Sequence, residues 1–199
     1  PRIAVSPGTP PFTNFLIGVV PVIALISDAV APATTDQPPR DPEARVVNRT
    51  TVVRWALVGL LLAVSATVPL VAGPDEPSTD GASVSMTMAF AVSALAALGL
   101  GWTARRDPVR SSEGPPLPYL GWILGGAALV VLAVEAPFVQ TWLDTTSLTG
   151  GQWFAVLGLS LVAPVGAAID KAVRQRRSTG SQATAQSPAA EPAVVERVG

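Results

Sequence analysis

The 199-residue chain contains no cysteine and no histidine. That removes disulfides, thiolate and imidazole metal sites, zinc sites of the usual kind and every His-based nucleophile relay. Charge is scarce as well: Asp, Glu, Lys and Arg make up 14% of the residues, where a soluble domain carries about 25%. The 13 basic and 14 acidic residues leave a net charge of -1, so no global field draws the chain toward nucleic acid or an acidic partner. What is present is apolar: 49% of the residues are hydrophobic and the mean hydropathy is +0.44. Disordered chains are polar and soluble enzymes carry more charge, which leaves the membrane class. A start at Pro1 rather than Met reads as a fragment or a processed piece.

The charges leave long intervals without Asp, Glu, Lys or Arg at 3–27, 55–74, 81–104, 114–134 and 145–169. A helix needs about 20 largely apolar residues to cross a hydrocarbon core of about 30 Å, since every backbone polar group must be satisfied internally. The expected fold is therefore all-α: a polytopic membrane bundle of about five transmembrane helices. The spans fall at about 12–28, 55–72, 84–104, 120–137 and 153–170, within a membrane domain of residues 1–177. The first is the weakest, because Pro7, Pro10, Pro11 and Pro21 interrupt it. From Ser178 the composition turns to Ser, Ala, Pro, Gln and Thr, which predicts a disordered tail over 178–199.

Basic residues cluster in alternate loops. Arg40, Arg45, Arg49 and Arg54 precede span two; Arg105, Arg106 and Arg110 follow span three; Lys171, Arg174, Arg176 and Arg177 follow span five. The loops 73–83 and 138–152 have no Lys or Arg and carry Asp75, Glu76, Asp80 and Asp144. Retention of basic loops on the cytoplasmic side places the start of the chain outside and its end inside. Trp55, Trp102, Trp122, Trp142 and Trp153 lie near span ends and read as interfacial anchors.

Few groups within the spans could carry chemistry: Asn14, Ser27 and Asp28 in or after the first, Ser65 and Thr67 in the second, Ser93 in the third, Glu135 ending the fourth and Ser160 in the fifth. Asp28 and Glu135 fall at opposite faces and cannot share a site; both read as surface or interfacial acids. Pro21, Pro69 and Pro164 each free a backbone carbonyl, which can give a kink or a cation-coordinating turn. Gly121, Gly125, Gly126, Ala127 and Ala128 form a small-residue face suited to close packing, as do Gly99 and Gly101. There is no Gly-rich phosphate loop and no DKTG-like phosphorylation motif, so the chain does not hydrolyse ATP alone.

Four segments in order resemble one family. DQPPRDPEARVV at 36–47, with Arg54 and Trp55 entering a span, is similar to the loop after the sixth membrane helix of P-type cation-pumping ATPases of the calcium-pump class. MTMAF at 86–90 resembles the start of their eighth helix, and PFVQTWLDTTSLTGGQW at 137–153 their outer loop between the ninth and tenth. LGLSL followed by Lys171, Arg174, Arg176 and Arg177 resembles the tenth helix and its basic exit. The resemblance covers residues 5 to about 177, and the family's last five helices also run from outside to inside.

The resemblance implies a transport helix bearing LTP, then Asn, then Thr-Asp, then Pro. Counted without gaps from Pro38-Pro39-Arg40, Val5, Ser6 and Pro7 match LTP, Asn14 the Asn and Pro21 the Pro, while Ile17 and Gly18 stand where Thr and Asp belong. A second register puts Ser27 and Asp28 on Thr-Asp, at the expense of a large deletion and of Ala24 on the Asn; the ungapped one is preferred. Ala97 falls where the eighth helix often holds Glu or Gln. The cation-site candidates are thus Asn14 and the backbone around Pro21, with Asp28 weaker, and the ligand pattern for a hard divalent cation is eroded. The resemblance also implies ATP and Mg2+ in cytoplasmic domains absent from this chain, the lipid bilayer and the remaining helices and domains as partners, and a plasma-membrane location with the C-terminus cytoplasmic. The rival expectation is a non-transporting membrane scaffold or interaction protein built on the same bundle.

Overall fold

In the computed structural model the described residues are residue 12 and residues 14–26, 48–77, 81–104 and 117–185, and among them there are helices and loops but no strand. Four helices are long and apolar enough to cross a membrane, and a fifth, shorter apolar helix precedes them. The chain divides into two units, Pro1–Ala167 and Ala168–Gly199. The first holds the bundle.

Helix α1, Phe15–Ile26, opens with a π-helical turn over Phe15–Val19 and continues as α-helix over Val20–Ile26. Pro21 explains the widened turn. A proline has no N–H for the carbonyl four residues back and its ring collides with that carbonyl in α register; in the π turn the Val20 N–H donates to the Phe15 carbonyl instead. With five plus seven residues, α1 is about 18 Å long at about 1.5 Å per residue. As described it is shorter than the four long helices, and residues 12 and 14 ahead of it are also helical. Ser27 and Asp28 lie outside the described residues.

Helix α2, Arg49–Ala72, starts ahead of its apolar stretch because Asn48 caps it: the Asn48 Oδ1 accepts from the Thr51 N–H at 2.8 Å and from the Thr51 hydroxyl at 2.9 Å. That satisfies one of the four orphan donors at a helix start. α3 is Val84–Ala104 and α4 Leu117–Glu135. A short α5, Pro137–Leu143, begins with Pro137 in its first turn and ends on Asp144 in the left-handed region, φ 50° and ψ 47°. α6 runs from Gly150 to Ala185. Its first turn carries a capping box: the Thr149 N–H donates to Gln152 Oε1 at 2.7 Å and the Gln152 N–H to Thr149 Oγ1 at 3.4 Å.

Residues 178–185 continue α6 as helix. An established helix extends cheaply through Ala and Gln, Gly180 costs only about 1 kcal/mol relative to Ala, and no proline intervenes before Pro188. The rest of the expected tail lies outside the described residues.

Helix α3 sits at the centre. Its alanines and its neighbours' apolar side chains form one core of Leu16 and Val20 from α1, Val92 and Leu98 from α3, and Val130 and Val134 from α4. Small residues set the close approaches. A Cβ on Gly126 would lie 2.9 Å from Leu98 Cδ2 and 3.0 Å from Val20 Cγ1, so α1, α3 and α4 converge on that glycine. A Cβ on Gly99 would meet Pro164 Cγ at 2.7 Å, which brings α6 against α3. Gly121 and Gly125, expected to share a packing face with Gly126, have open space around them. Helix α2 is the barest of the four long helices, exposing Trp55, Leu57, Leu60, Val64 and Val71. An apolar surface of that extent belongs in lipid.

Candidate cation site

Asn14 and Pro21 sit on different sides of α1. Asn14 caps the π turn in helical backbone geometry, φ -59° and ψ -39°, but its side chain makes no capping hydrogen bond and is exposed. Pro21 is buried against α3, with its Cβ 3.2 Å from where a Cβ on Gly101 would stand. Ile17 is half-buried and Gly18 is exposed with nothing within 4 Å of a built Cβ. The face bearing Asn14 and Gly18 is therefore uncovered by the helices of the described residues. Pro21 brings no N–H to the Ile17 carbonyl, a consequence of the ring alone. Asp28 lies outside the described residues.

The other intramembrane polar groups do not converge on that face. The Ser65 hydroxyl donates to the Leu61 carbonyl at 2.8 Å, Thr67 to Ala63 at 2.7 Å, Ser93 to Ala89 at 2.8 Å and Ser160 to Leu157 at 2.9 Å. Each is absorbed by its own helix, the usual fate of Ser and Thr in an apolar medium. Ala97, at the position read as replacing an acid or amide, is buried with α3's other alanines. Among the described residues no group of three or more Asp, Glu, His or Cys side chains could hold a metal.

The densest polar organisation lies in the connecting loops. Asp75, after α2, reaches the start of α3: the Val84 N–H donates to Oδ2 and the Ser85 N–H to Oδ1, both at 2.8 Å, and the Ser83 hydroxyl donates to Oδ1 at 3.3 Å. The Ser85 hydroxyl lies 2.6 Å from both Oδ1 and the Asp75 carbonyl. Hydrogen bonds from Ser85, Val84 and Ser83 outweigh desolvation and lower the Asp75 pKa from 3.8 to about 2.

A second knot fastens the loop 144–149. The Thr146 N–H donates to Thr87 Oγ1 at 3.1 Å, while the Thr87 hydroxyl donates to the Ser83 carbonyl at 2.8 Å. Gln140 Nε2 donates to the Val134 carbonyl and to Ser147 Oγ. Glu135 accepts from the Trp153 indole N–H at 2.8 Å and from the Leu148 N–H at 3.4 Å, tying the end of α4 to the start of α6. Trp153 is thus a hydrogen-bonded strut; Trp55, Trp102, Trp122 and Trp142 are exposed, and the Trp102 ring packs against Tyr119 with centroids 5.6 Å apart. The sequence carried a sign of the α6 start in Thr149-x-x-Gln152, but none of Asp75's cap, whose donors lie eight to ten residues away.

A family model described as "Cation transporting ATPase, C-terminus" matches residues 12–173. Comparison with curated proteins returned no match. The matched stretch includes α1 with Asn14 and Pro21, helices α2 to α4, α6 as far as Val173 and both fastened loops.

Proposed function

The chain belongs to the family of C-terminal regions of cation-transporting ATPases, and from that premise we propose that it supports ion translocation driven by ATP hydrolysis in domains absent from this chain. ATP and Mg2+ act in those domains. In this reading α1 is the transport helix, and α2, α3, α4 and α6 brace it. The observation that carries the assignment is the π turn between Asn14 and Pro21, on a face exposed among the described residues; π turns are frequent at functional sites. Asn14 and the π-turn carbonyls are the proposed ligands; Asp28 is a weaker candidate. The ion is left unassigned because Ile17, Gly18 and Ala97 supply no side-chain oxygen. The basic loops support a cytoplasmic C-terminus, and the plasma membrane is the proposed location.

Reconstitution of the full-length protein and measurement of cation-stimulated ATP hydrolysis tests the reading. Asn14→Ala should raise the cation concentration for half-stimulation about tenfold, the loss of one oxygen ligand at about 1.4 kcal/mol. Gly18→Asp, into open space, should lower it. Unchanged stimulation in both variants would remove α1 from the cation path.

A second reading is favoured by the same three apolar positions: a bundle that has kept its architecture as a scaffold or interaction protein without transporting. Absence of stimulation by any cation, in wild type and in Gly18→Asp, would select it.

A further inference from the structure

We propose that the basic stretch of α6 beyond its apolar segment is a collar that binds the anionic head groups of the adjoining lipid leaflet. The 25-residue interval 145–169 has no charged residue, and then Asp170, Lys171, Arg174, Arg176 and Arg177 arrive within eight positions. Four basic residues less one acid leave a local charge of +3, against -1 for the whole chain. This is concentrated charge on a nearly neutral protein. The segment is helical throughout, because α6 continues to Ala185.

Helix geometry decides what such a segment can bind. At about 100° per residue, Arg174 stands about 300° and Arg176 about 500° round from Lys171, so the basic positions are distributed around the axis. A helix lying flat on a membrane needs its cations on one face. A ring of them suits a helix crossing the head-group layer, where lipid approaches from all sides. The apolar Ile169 and Val173 are exposed among the cations, as expected at a boundary where aliphatic stems remain in hydrocarbon and charged heads reach out of it.

The Asp170–Arg174 pair, Nε to Oδ2 at 3.1 Å, is consistent with this site. Both side chains are more than two-fifths exposed, and an exposed i,i+4 pair is weak enough for Arg174 to exchange its carboxylate for a lipid phosphate. A guanidinium matches phosphate oxygens in a two-pronged geometry. Head groups are the anions that charge complementarity selects here, since the collar follows directly on a membrane-length apolar run. Each basic residue close to an anionic leaflet is worth about a fivefold preference.

The absence of cysteine gives a clean test. A fluorophore on a single Ala172→Cys in the full chain, reconstituted in mixed phosphatidylcholine and phosphatidylglycerol vesicles, is quenched by a nitroxide carried either on phosphatidylglycerol or on phosphatidylcholine. Quenching from phosphatidylglycerol should exceed that from phosphatidylcholine severalfold at low salt. It should fall to parity near 1 M salt, where the screening length is about 3 Å. Replacing Lys171, Arg174, Arg176 and Arg177 by Gln should abolish the preference at low salt, and Arg49→Gln with Arg54→Gln should leave it. Equal quenching by both lipids in wild type, or a preference insensitive to salt, overturns the proposal without reliance on any charge variant. So does a preference that survives the fourfold replacement, or one that inorganic phosphate removes at matched ionic strength where chloride does not, which would mark a soluble anion as the occupant.

Discussion

At Asp75 the folded carboxylate titrates at about 2 instead of 3.8, and the direction fixes its contribution to stability. A depressed acid stabilises the fold above its unfolded pKa, and that contribution is lost as pH falls from about 3.8 toward about 2. Amide exchange at Val84 and Ser85 should therefore accelerate beyond its intrinsic pH dependence across that window and nowhere between pH 5 and 8. Asp75→Ala should cost about 1 kcal/mol of α3 start stability, the ordinary worth of a cap. Glu135 offers a second residue-level test. Glu135→Ala removes the acceptor of the Trp153 indole and of the Leu148 N–H, a loss of about 0.5–1.5 kcal/mol because the pair is open to water. Trp153 emission should shift red, and Glu135→Gln, whose amide oxygen still accepts, should recover most of the difference.

Helix packing depends on a few glycines, and their backbones look alike in the sequence. Gly126→Val places methyls where Leu98 and Val20 already stand, so it should destabilise the α1–α3–α4 contact by about 1–3 kcal/mol, read as a lower thermal midpoint in lipid nanodiscs. Gly125→Ala, one residue away and in open space, should be neutral or stabilising by up to about 1 kcal/mol. That contrast marks the limit of what was legible beforehand. The four long helices and the short first one could be read from the charge-free runs, because hydrocarbon tolerates few alternatives to a helix. Which glycine faces a neighbour could not, since a membrane helix is apolar all round and has no solvent face to orient it. In α1 the difficulty is compounded: the π turn shifts the angular register between Asn14 and Pro21, so spacing alone does not reveal that one is exposed and the other buried. Asp75 was visible only as a loop acid, because its partners Val84 and Ser85 stand nine and ten residues on, with no helical or strand period in the sequence between them to announce the contact.

For the whole molecule, the distribution of basic loops makes a prediction about sidedness. A cysteine-free chain allows single cysteines without background, so Glu76→Cys and Ser147→Cys should react with an impermeant maleimide on intact cells, and Asn48→Cys only after permeabilisation. The reverse pattern would invert the proposed topology. Under the proposed topology the two knots, Asp75 on α3 and Glu135 on α6, lie on the side opposite the C-terminus. The hydrogen bonds from Ser83, Val84 and Ser85 hold Asp75 in its charged form well below the usual carboxylate range. The fastening of the start of α3 therefore survives mild acidification unchanged and loosens only as pH falls from about 3.8 toward about 2, so it acts as a fixed hinge pin and not as a proton-operated latch.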